Sequence, residues 1–211
     1  MNRIDVADLD CIYLTYDEPQ KEEFWVKIRN MIPWAKRVDG VKGSDAAHKA
    51  AAEASDTDRF ILIDGDNMPD PEFFNLTLEL PTAEYERAVF RWRAKNHING
   101  LMYGNGGLKM WSTEHLANMR SHELATEERD AVDFCWDFNK YKELVGCYST
   151  VYTNASPYQA FRVGFREGIK LSMEQGQVLS FDNWLTTMHA ANFQRLITWM
   201  TVGSDVKNGA W

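Results

Sequence analysis

The sequence predicts an α/β domain with a mixed, mainly parallel sheet flanked by helices. Strand-like and helical patterns alternate in the first half of the chain, residues 60–63 are apolar throughout, and the length suits one domain. A strand without a polar face is typical of a parallel sheet that helices cover on both sides.

The first half of the chain is predicted to form a βαβαβ unit. Strands are expected at 11–15, 35–38 and 59–63, with helices at 21–30 and 46–54 between them. The second helix is rich in alanine, which has high helix propensity, and Ser44 with Asp45 is expected to cap its start.

In the middle of the chain, apolar and cationic residues alternate in a predicted strand at 89–95. Side chains two residues apart share a face, so one face carries Arg91, Arg93 and Lys95 while Phe90 and Trp92 point to the core. A loop or tight bend is predicted at 104–107, where three of four residues are glycine.

The last third is predicted to be helical. Ser156 followed by Pro157 indicates a helix start, and this helix should run to about Met173 with an apolar stripe. A final helix at 192–200 is expected to bury its apolar side chains. The stripe residues are Tyr158, Phe161, Phe165 and Ile169 in the first helix, and Phe193, Leu196, Ile197 and Met200 in the second.

Composition and charge limit the classes of function. The chain has 211 residues without repeats or a linker, so we expect one domain over 1–211. It has 23 Lys plus Arg against 31 Asp plus Glu, a formal net charge of −8. The overall field would repel a polyanion unless a local basic strip opposed it.

Cysteines and apolar runs indicate the compartment. Three cysteines at irregular spacing fit neither a disulfide framework nor a metal clamp, so a reducing cytosol is expected. The sequence has no secretion signal and no run long enough to span a membrane. Its end at Trp211 resembles a truncation more than a finished terminus.

The most informative residues are Asp64-Gly65-Asp66-Asn67, directly after the apolar strand. Open parallel sheets bind ligands beyond the carboxyl ends of their strands. Two carboxylates separated by one glycine can approach one hard divalent cation, which often keeps phosphate oxygens in its shell. The alternative is a plain turn, since all these residue types favour turns. A calcium EF-hand is excluded, because Pro69 and Asn75 stand where its glycine and glutamate are required.

The ordered set of motifs resembles the GT-A-fold glycosyltransferases, in which a metal-binding Asp-x-Asp ends a strand of a Rossmann-like half. The segments 64–67, 99–107 and 156–167 are similar to those of short glycosyltransferase-like proteins encoded by tailed phages. The resemblance covers roughly residues 10 to 205. It implies a nucleotide- and metal-binding half at about 1–110 and an acceptor-side half at about 111–211. It implies a GT-A-like fold, a nucleotide-sugar donor, UDP by default, and Mn²⁺ or Mg²⁺ as cofactor.

The resemblance also implies roles for individual residues. Asp64 and Asp66 would hold the metal and the donor, and His189 would be a third ligand, with a merely packed histidine as the alternative. Asp133 and Asp137 are candidates for the carboxylate base that an inverting enzyme needs. The nucleotide and donor sugar would contact residues after the first strand, in the stretch 42–48 that leads into the second helix, and in the glycine segment: Tyr16, Asp17, Lys42, His48, Gly106 and Gly107.

Cations could add contacts to phosphate. Arg91 and Arg93 could meet donor phosphates or an anionic acceptor, although a solvated sheet face is the alternative. Lys109, just beyond the glycine segment, could also reach a phosphate. Arg162, Arg166 and Lys170 form a second basic ridge, for which a solvated helix face is the expected reading.

The predicted function is metal-dependent transfer of a sugar to a hydroxyl acceptor. The acceptor could be a modified pyrimidine in phage DNA, a glycan or a protein, and the location would be the host cytoplasm for a phage protein. A sugar nucleotidyltransferase is disfavoured, because residues 16–20 lack its glycine-rich loop. A haloacid-type phosphatase is disfavoured because the acidic motif comes late. A non-catalytic protein that retains the fold and binds nucleotide-sugars is the main alternative.

Overall fold

A computed structural model describes residues 2–80, 88–104, 107–118, 141–174 and 177–204. Single 3₁₀ turns lie at Val6–Asp8, Pro71–Asn75 and Phe181–Asn183. The helices are α1 Lys21–Met31, α2 Ser44–Glu53, α3 Thr113–Ala117, α4 Pro157–Leu171, α5 Trp184–Thr187 and α6 Ala190–Ser204. The strands are β1 Asn2–Asp5, β2 Asp10–Thr15, β3 Lys36–Asp39, β4 Arg59–Asp64, β5 Asn67–Pro69, β6 Thr77–Leu80, β7 Val89–Asn96, β8 Met102–Tyr103, β9 Leu108–Ser112, β10 Tyr141–Val151, β11 Met173–Glu174 and β12 Gln177–Val178.

Within these residues, the main sheet has eight strands and confirms the predicted mixed α/β class. The order is β3-β2-β4-β9-β7-β10-β5, and β8 also pairs with β7. Strand β2 runs parallel to β3 and β4, and β10 runs parallel to β7. Strand β9 lies antiparallel between β4 and β7. The strands β2, β3, β4, β7 and β10 therefore end at one common edge of the sheet.

Two apolar cores cover the faces of this sheet, as expected for buried strands. One core joins Phe24 and Ile28 of α1 to Tyr13 of β2 and Trp92 of β7. The other joins the alanines of α2 to Leu62 of β4. Burial at this scale is the main favourable contribution to folding. This packing holds in place the strand ends that carry the candidate site.

The structure tests the predicted starts of two helices, α2 and α4. Helix α2 begins at Ser44, so the predicted cap of Ser44 and Asp45 is wrong, and Gly43 occupies the cap position with φ +97°. Glycine reaches this φ without strain. Helix α4 begins as predicted, because the Ser156 hydroxyl accepts a hydrogen bond from the Gln159 amide at 3.1 Å.

The chain reverses before the glycine segment. Strands β8 and β9 both pair antiparallel with β7, so these two strands run in the same direction. The reversal into this direction lies between Asn96 and Met102, where Gly100 has φ +70°. Asn105 and Gly106, in the middle of the loop predicted at 104–107, lie outside the described residues.

The predicted burial of the last helix is wrong. Phe193 and Ile197 are each 41% exposed and Met200 is 70% exposed. The apolar stripe of α4 exists as predicted but also faces outward. Amphipathic periodicity identifies an apolar face, but it does not say what covers that face.

Two further sequence expectations concern cysteines and membrane spans. Cys11 and Cys147 are free thiols, and burial raises the pKa of the Cys11 thiol to about 12. Among the helices that the structure describes, none combines the length and apolarity that a bilayer span requires. Cys135 and residues 205–211 lie outside the described residues.

Candidate active site

The Asp64-Gly65-Asp66 turn lies at the common edge where the parallel strands end. Asp64 is the last residue of β4, and β5 begins at Asn67. The backbone N–H of Tyr152, just after β10, donates to the carbonyl of Asp66 at 2.8 Å. The turn is thus connected to both halves of the sheet, at the position where open α/β sheets bind ligands.

Two glycines allow this turn to pack closely. A Cβ at Gly65 would lie 2.6 Å from the carboxylate of Glu18, and a Cβ at Gly107 would lie 2.1 Å from Nδ2 of Asn67. Neither distance is compatible with van der Waals contact. Gly107 was predicted to contact the donor, and the structure places it against Asn67, where only a hydrogen fits.

Asp64 forms an ion pair with a buried lysine. Nζ of Lys109 lies 2.8 Å from Oδ2 of Asp64, and the Lys109 side chain is only 6% exposed. The Asp64 amide donates to the carbonyl of Gly107 at 2.9 Å. Lys109 was predicted to reach a phosphate. In this structure its ammonium group orients the first carboxylate of the turn.

Asp66 experiences an excess of negative charge. Its pKa rises from 3.8 to about 6, chiefly because burial removes water from the carboxylate. The charge of Asp64 and, more weakly, that of Glu18 add to this rise, while the Asn67 side chain opposes it. A cation at this place would relieve the repulsion.

Asn67 provides a further oxygen at the turn. Its side chain is 2% exposed, and Nδ2 donates to Oδ1 of Asp66 at 3.2 Å. No described residue hydrogen-bonds the other end of this amide, Oδ1. A buried carbonyl oxygen without a partner costs free energy, which a ligand could recover.

The residues predicted to bind the nucleotide separate into two groups. Tyr16 and Lys42 are exposed, and Asp17 pairs with Arg162 at 3.3 Å. His48 is buried, with Nδ1 2.7 Å from the Ser44 carbonyl oxygen and its ring packed edge-on to Trp111. Burial lowers the pKa of His48, so the imidazole is neutral at pH 7. The first group is accessible to a ligand, whereas His48 is packed inside the fold between α2 and β9.

The cationic face of β7 is confirmed, but two of its cations share one acid. Arg91 and Arg93 each place Nη2 2.7 Å from the carboxylate of Glu143 on β10. Arg91 also donates to the carbonyl oxygen of Gly104. One carboxylate neutralises one of the two guanidinium charges, and both side chains are held along the sheet.

Of the other predicted site residues, His189 is described by the structure and does not join this group. His189 is exposed before α6, where Nδ1 accepts a hydrogen bond from the Ala191 amide at 3.1 Å. Among the described side chains, no three of His, Cys, Asp and Glu converge as a metal shell would require. Gly106, Asp133 and Asp137 lie outside the described residues.

The sequence placed Glu18 in a segment that the resemblance assigns to the nucleotide and Asn67 in the acidic motif, but it assigned neither side chain a role in the site. Glu18 Oε2 accepts a hydrogen bond from the Tyr16 amide at 2.8 Å, which holds its carboxylate over Gly65. The signal available was position, because Glu18 follows the end of β2 and Asn67 follows the acidic pair. Their contacts depend on pairing between distant strands.

A cavity of about 250 Å³ lies beside the turn, between α1 and the ends of β7 and β10. The rings of His97 and Tyr152 pack at 4.4 Å in its wall. Amides and charged groups complete the lining, together with the Phe24 ring and Met68. The polar lining residues are Gln20, Glu23, Lys27 and Asn154.

Comparisons with known proteins give only distant matches. No protein family model matches the chain, and no curated protein matches it. HddC from Yersinia pseudotuberculosis superposes with a TM-score of 0.40 at 14% identity, over 72% of this chain and 76% of that one. The same protein complexed with GMP-PN gives a TM-score of 0.40 at 13% identity, over 72% and 75%. A glycosyltransferase involved in glycosylation of the major capsid of PBCV-1 gives a TM-score of 0.40 at 11% identity, over 76% and 99%.

Proposed function

We propose that the protein is a GT-A-type glycosyltransferase that uses a divalent cation and a nucleotide-sugar donor, with UDP as the nucleotide. The observation that carries the proposal is the pair of carboxylates, Asp64 and Asp66, at the carboxyl end of the central strand β4. The sequence resemblance described above supports the same reaction class. We also propose a cytoplasmic location, which the free thiols of Cys11 and Cys147 support.

The residues of the turn fit a hard cation in the type of atom they offer. Asp64, Asp66 and the unpartnered Oδ1 of Asn67 are all oxygen donors, which Mg²⁺ and Mn²⁺ prefer. Burial and, after it, the charge of Asp64 raise the pKa of Asp66, and a cation would relieve the second of these effects. Asp64 and Asp66 would hold the metal, which would stabilise the charge of a leaving diphosphate as a Lewis acid.

The remaining residues would position these groups. Lys109 keeps the Asp64 carboxylate in place through its ion pair, and Glu18 covers Gly65. Tyr16, Asp17 and Lys42 would contact the nucleotide from the loops after β2 and before α2. The neutral His48 would support this region without supplying charge.

For the acceptor, we propose a small hydroxyl compound such as a glycan, in preference to duplex DNA. Aromatic rings combined with amide groups, as in the cavity beside the turn, suit the apolar faces and hydroxyl groups of a sugar. The cations that could meet a DNA backbone are largely engaged, since Arg91 and Arg93 pair with Glu143. Salt-dependent DNA binding would argue for the modified base instead, because phosphate contacts give steep salt dependence.

The test is a donor panel with Mn²⁺ in which release of nucleoside diphosphate is measured. We expect Asp64→Asn and Asp66→Asn to reduce release at least about a hundredfold, in line with loss of a major electrostatic contribution. Asp70→Asn is the matched control, because Asp70 is an exposed acid close to the turn. Calorimetric titration of UDP with and without Mn²⁺ measures binding separately from turnover.

The outcomes separate the candidate functions. Product release that the two turn variants abolish and the control retains supports the transferase. Mn²⁺-dependent UDP binding without product from any donor identifies the non-catalytic alternative. Equal release by wild type and both variants would exclude these two aspartates as metal ligands.

A further inference from the structure

Helices α4 and α6 expose two stripes of large apolar side chains. Phe161 is 73% exposed, Phe165 62% and Tyr158 68%, and the rings of Phe161 and Phe165 stack at 6.3 Å. Ile169 continues this stripe, and α6 adds Phe193, Ile197 and Met200. Scattered exposed apolar residues are common in proteins, whereas ordered stripes on neighbouring helices are not.

Both stripes face away from the sheet. The hydroxyl of Tyr103 on β8 donates to Oε2 of Glu167 in α4 and accepts a hydrogen bond from Nε1 of Trp199 in α6 at 2.7 Å. Arg195 of α6 packs over the same ring, 4.7 Å from its centroid. These contacts define the inner sides of the two helices, and the apolar stripes lie on the opposite sides. We call this outer surface the α4/α6 face.

The size of the α4/α6 face matches one half of a dimer interface. Large side chains offer roughly 150 to 250 Å² each, so the seven exposed residues present about 750 Å² of surface. The largest apolar patch on a typical monomer is about 300 to 600 Å², whereas a standard stable interface buries about 800 Å² per partner. The face is therefore larger than a monomer usually leaves exposed.

Two glycines in α4 add a geometric feature. Gly164 and Gly168 lie in the interior of a 15-residue helix, beside the aromatic stripe. Apart from the adjoining residues and backbone of α4 itself, no described atom comes within 4 Å of a Cβ built at either position. Glycine in a helix interior is unfavourable relative to alanine, and packing within the described chain does not account for these two. Glycines four residues apart allow a second helix to approach closely.

We propose that the α4/α6 face binds a second copy of this chain, with α4 of one protomer crossing α4 of its partner at Gly164 and Gly168. The exposed area of the face supports a dimer interface. The two glycines favour a helix as the contacting element, because a lipid surface would not require close approach to the α4 backbone. An interface built in this way is self-complementary, as two-fold dimers require. The proposal is independent of the proposed enzymatic function.

The experiment is sedimentation equilibrium of the full chain over a wide concentration series. We expect a species of twice the 24.4 kDa chain mass. The double variant with Phe161→Ser and Phe165→Ser should have a dimer dissociation constant at least about tenfold higher than wild type, because buried aromatic residues dominate interface energetics. Val26→Ser is the matched control, since Val26 is 59% exposed on α1, outside the face.

Gly164→Ala gives a second test, because it should change the stability of the monomer and the stability of the dimer in opposite directions. Alanine should raise the melting temperature of the isolated monomer through helix propensity, while its methyl group weakens the dimer. A wild-type monomer at all concentrations would overturn the proposal, as would a dimer that the double phenylalanine variant leaves intact. A monomer that binds vesicles containing phosphatidylglycerol through these phenylalanines would assign the face to lipid and would equally overturn it.

Discussion

Replacing Asp66 by asparagine should stabilise the metal-free protein at alkaline pH. The folded protein raises the pKa of Asp66 from 3.8 to about 6, first through burial and then through the charge of Asp64. The folded chain therefore holds this proton more tightly than the unfolded chain does. Stability from this residue is fully present below about pH 4 and is lost as the pH rises through 6.

The magnitude follows from the two pKa values. At 1.36 kcal/mol per pH unit, the difference between 3.8 and about 6 corresponds to about 3 kcal/mol above pH 7. Asp66 is only partly buried, so solvent screening reduces the expected effect to about 2 kcal/mol. Asparagine has the same shape and no charge. The variant should gain this amount at about pH 8 and nothing near pH 4.

The assay is urea denaturation of wild type and Asp66→Asn in EDTA across this pH range. The difference in unfolding free energy should grow as the pH rises, while Asp70→Asn should follow the wild type. A variant that is less stable than wild type at pH 8, or whose difference does not change with pH, would refute the electrostatic account of the turn.

Other contacts give further expected outcomes. Gly107→Ala should lower the free energy of unfolding, measured by urea denaturation, by about 1 to 3 kcal/mol, because the new methyl group must displace the buried Asn67 side chain. An unchanged free energy of unfolding would contradict this packing. Tyr103→Phe should lower the free energy of unfolding by about 1 to 3 kcal/mol, because it removes the hydroxyl that hydrogen-bonds both Trp199 and Glu167. Amide hydrogen exchange in α6 should become faster. Unchanged exchange would show that the hydroxyl does not hold this helix.

The sequence was sufficient to predict strands β2, β3, β4 and β7 and the acidic turn. Residues 60–63 are apolar throughout, which predicts β4, and Asp64 marks its end. Strand β10 was not predicted, although it has 11 residues, because Glu143, Gly146 and Ser149 interrupt any alternation. Its place beside β7 depends on strand pairing across a long stretch of chain, which no local pattern records.

The contact partners of the site residues also could not be predicted from the sequence. Lys109 and Asp64 are 45 positions apart and meet because β9 pairs with β4. The same pairing brings Gly107 close to the acidic turn. Periodicity located the apolar face of α6, yet Met200 is exposed, because hydrophobic pattern alone does not identify the surface that covers a helix.

The reversed direction of β9 has a consequence for how such a site can diversify. A strand that runs against its neighbours begins where they finish, so Gly107, which leads into β9, lies directly beside the acidic turn. Exchange of Gly107 itself is costly, but insertions just before it would add residues at this edge while leaving every hydrogen-bonded pair of the sheet in register. The surroundings of the turn can thus change through evolution with little loss of thermodynamic stability.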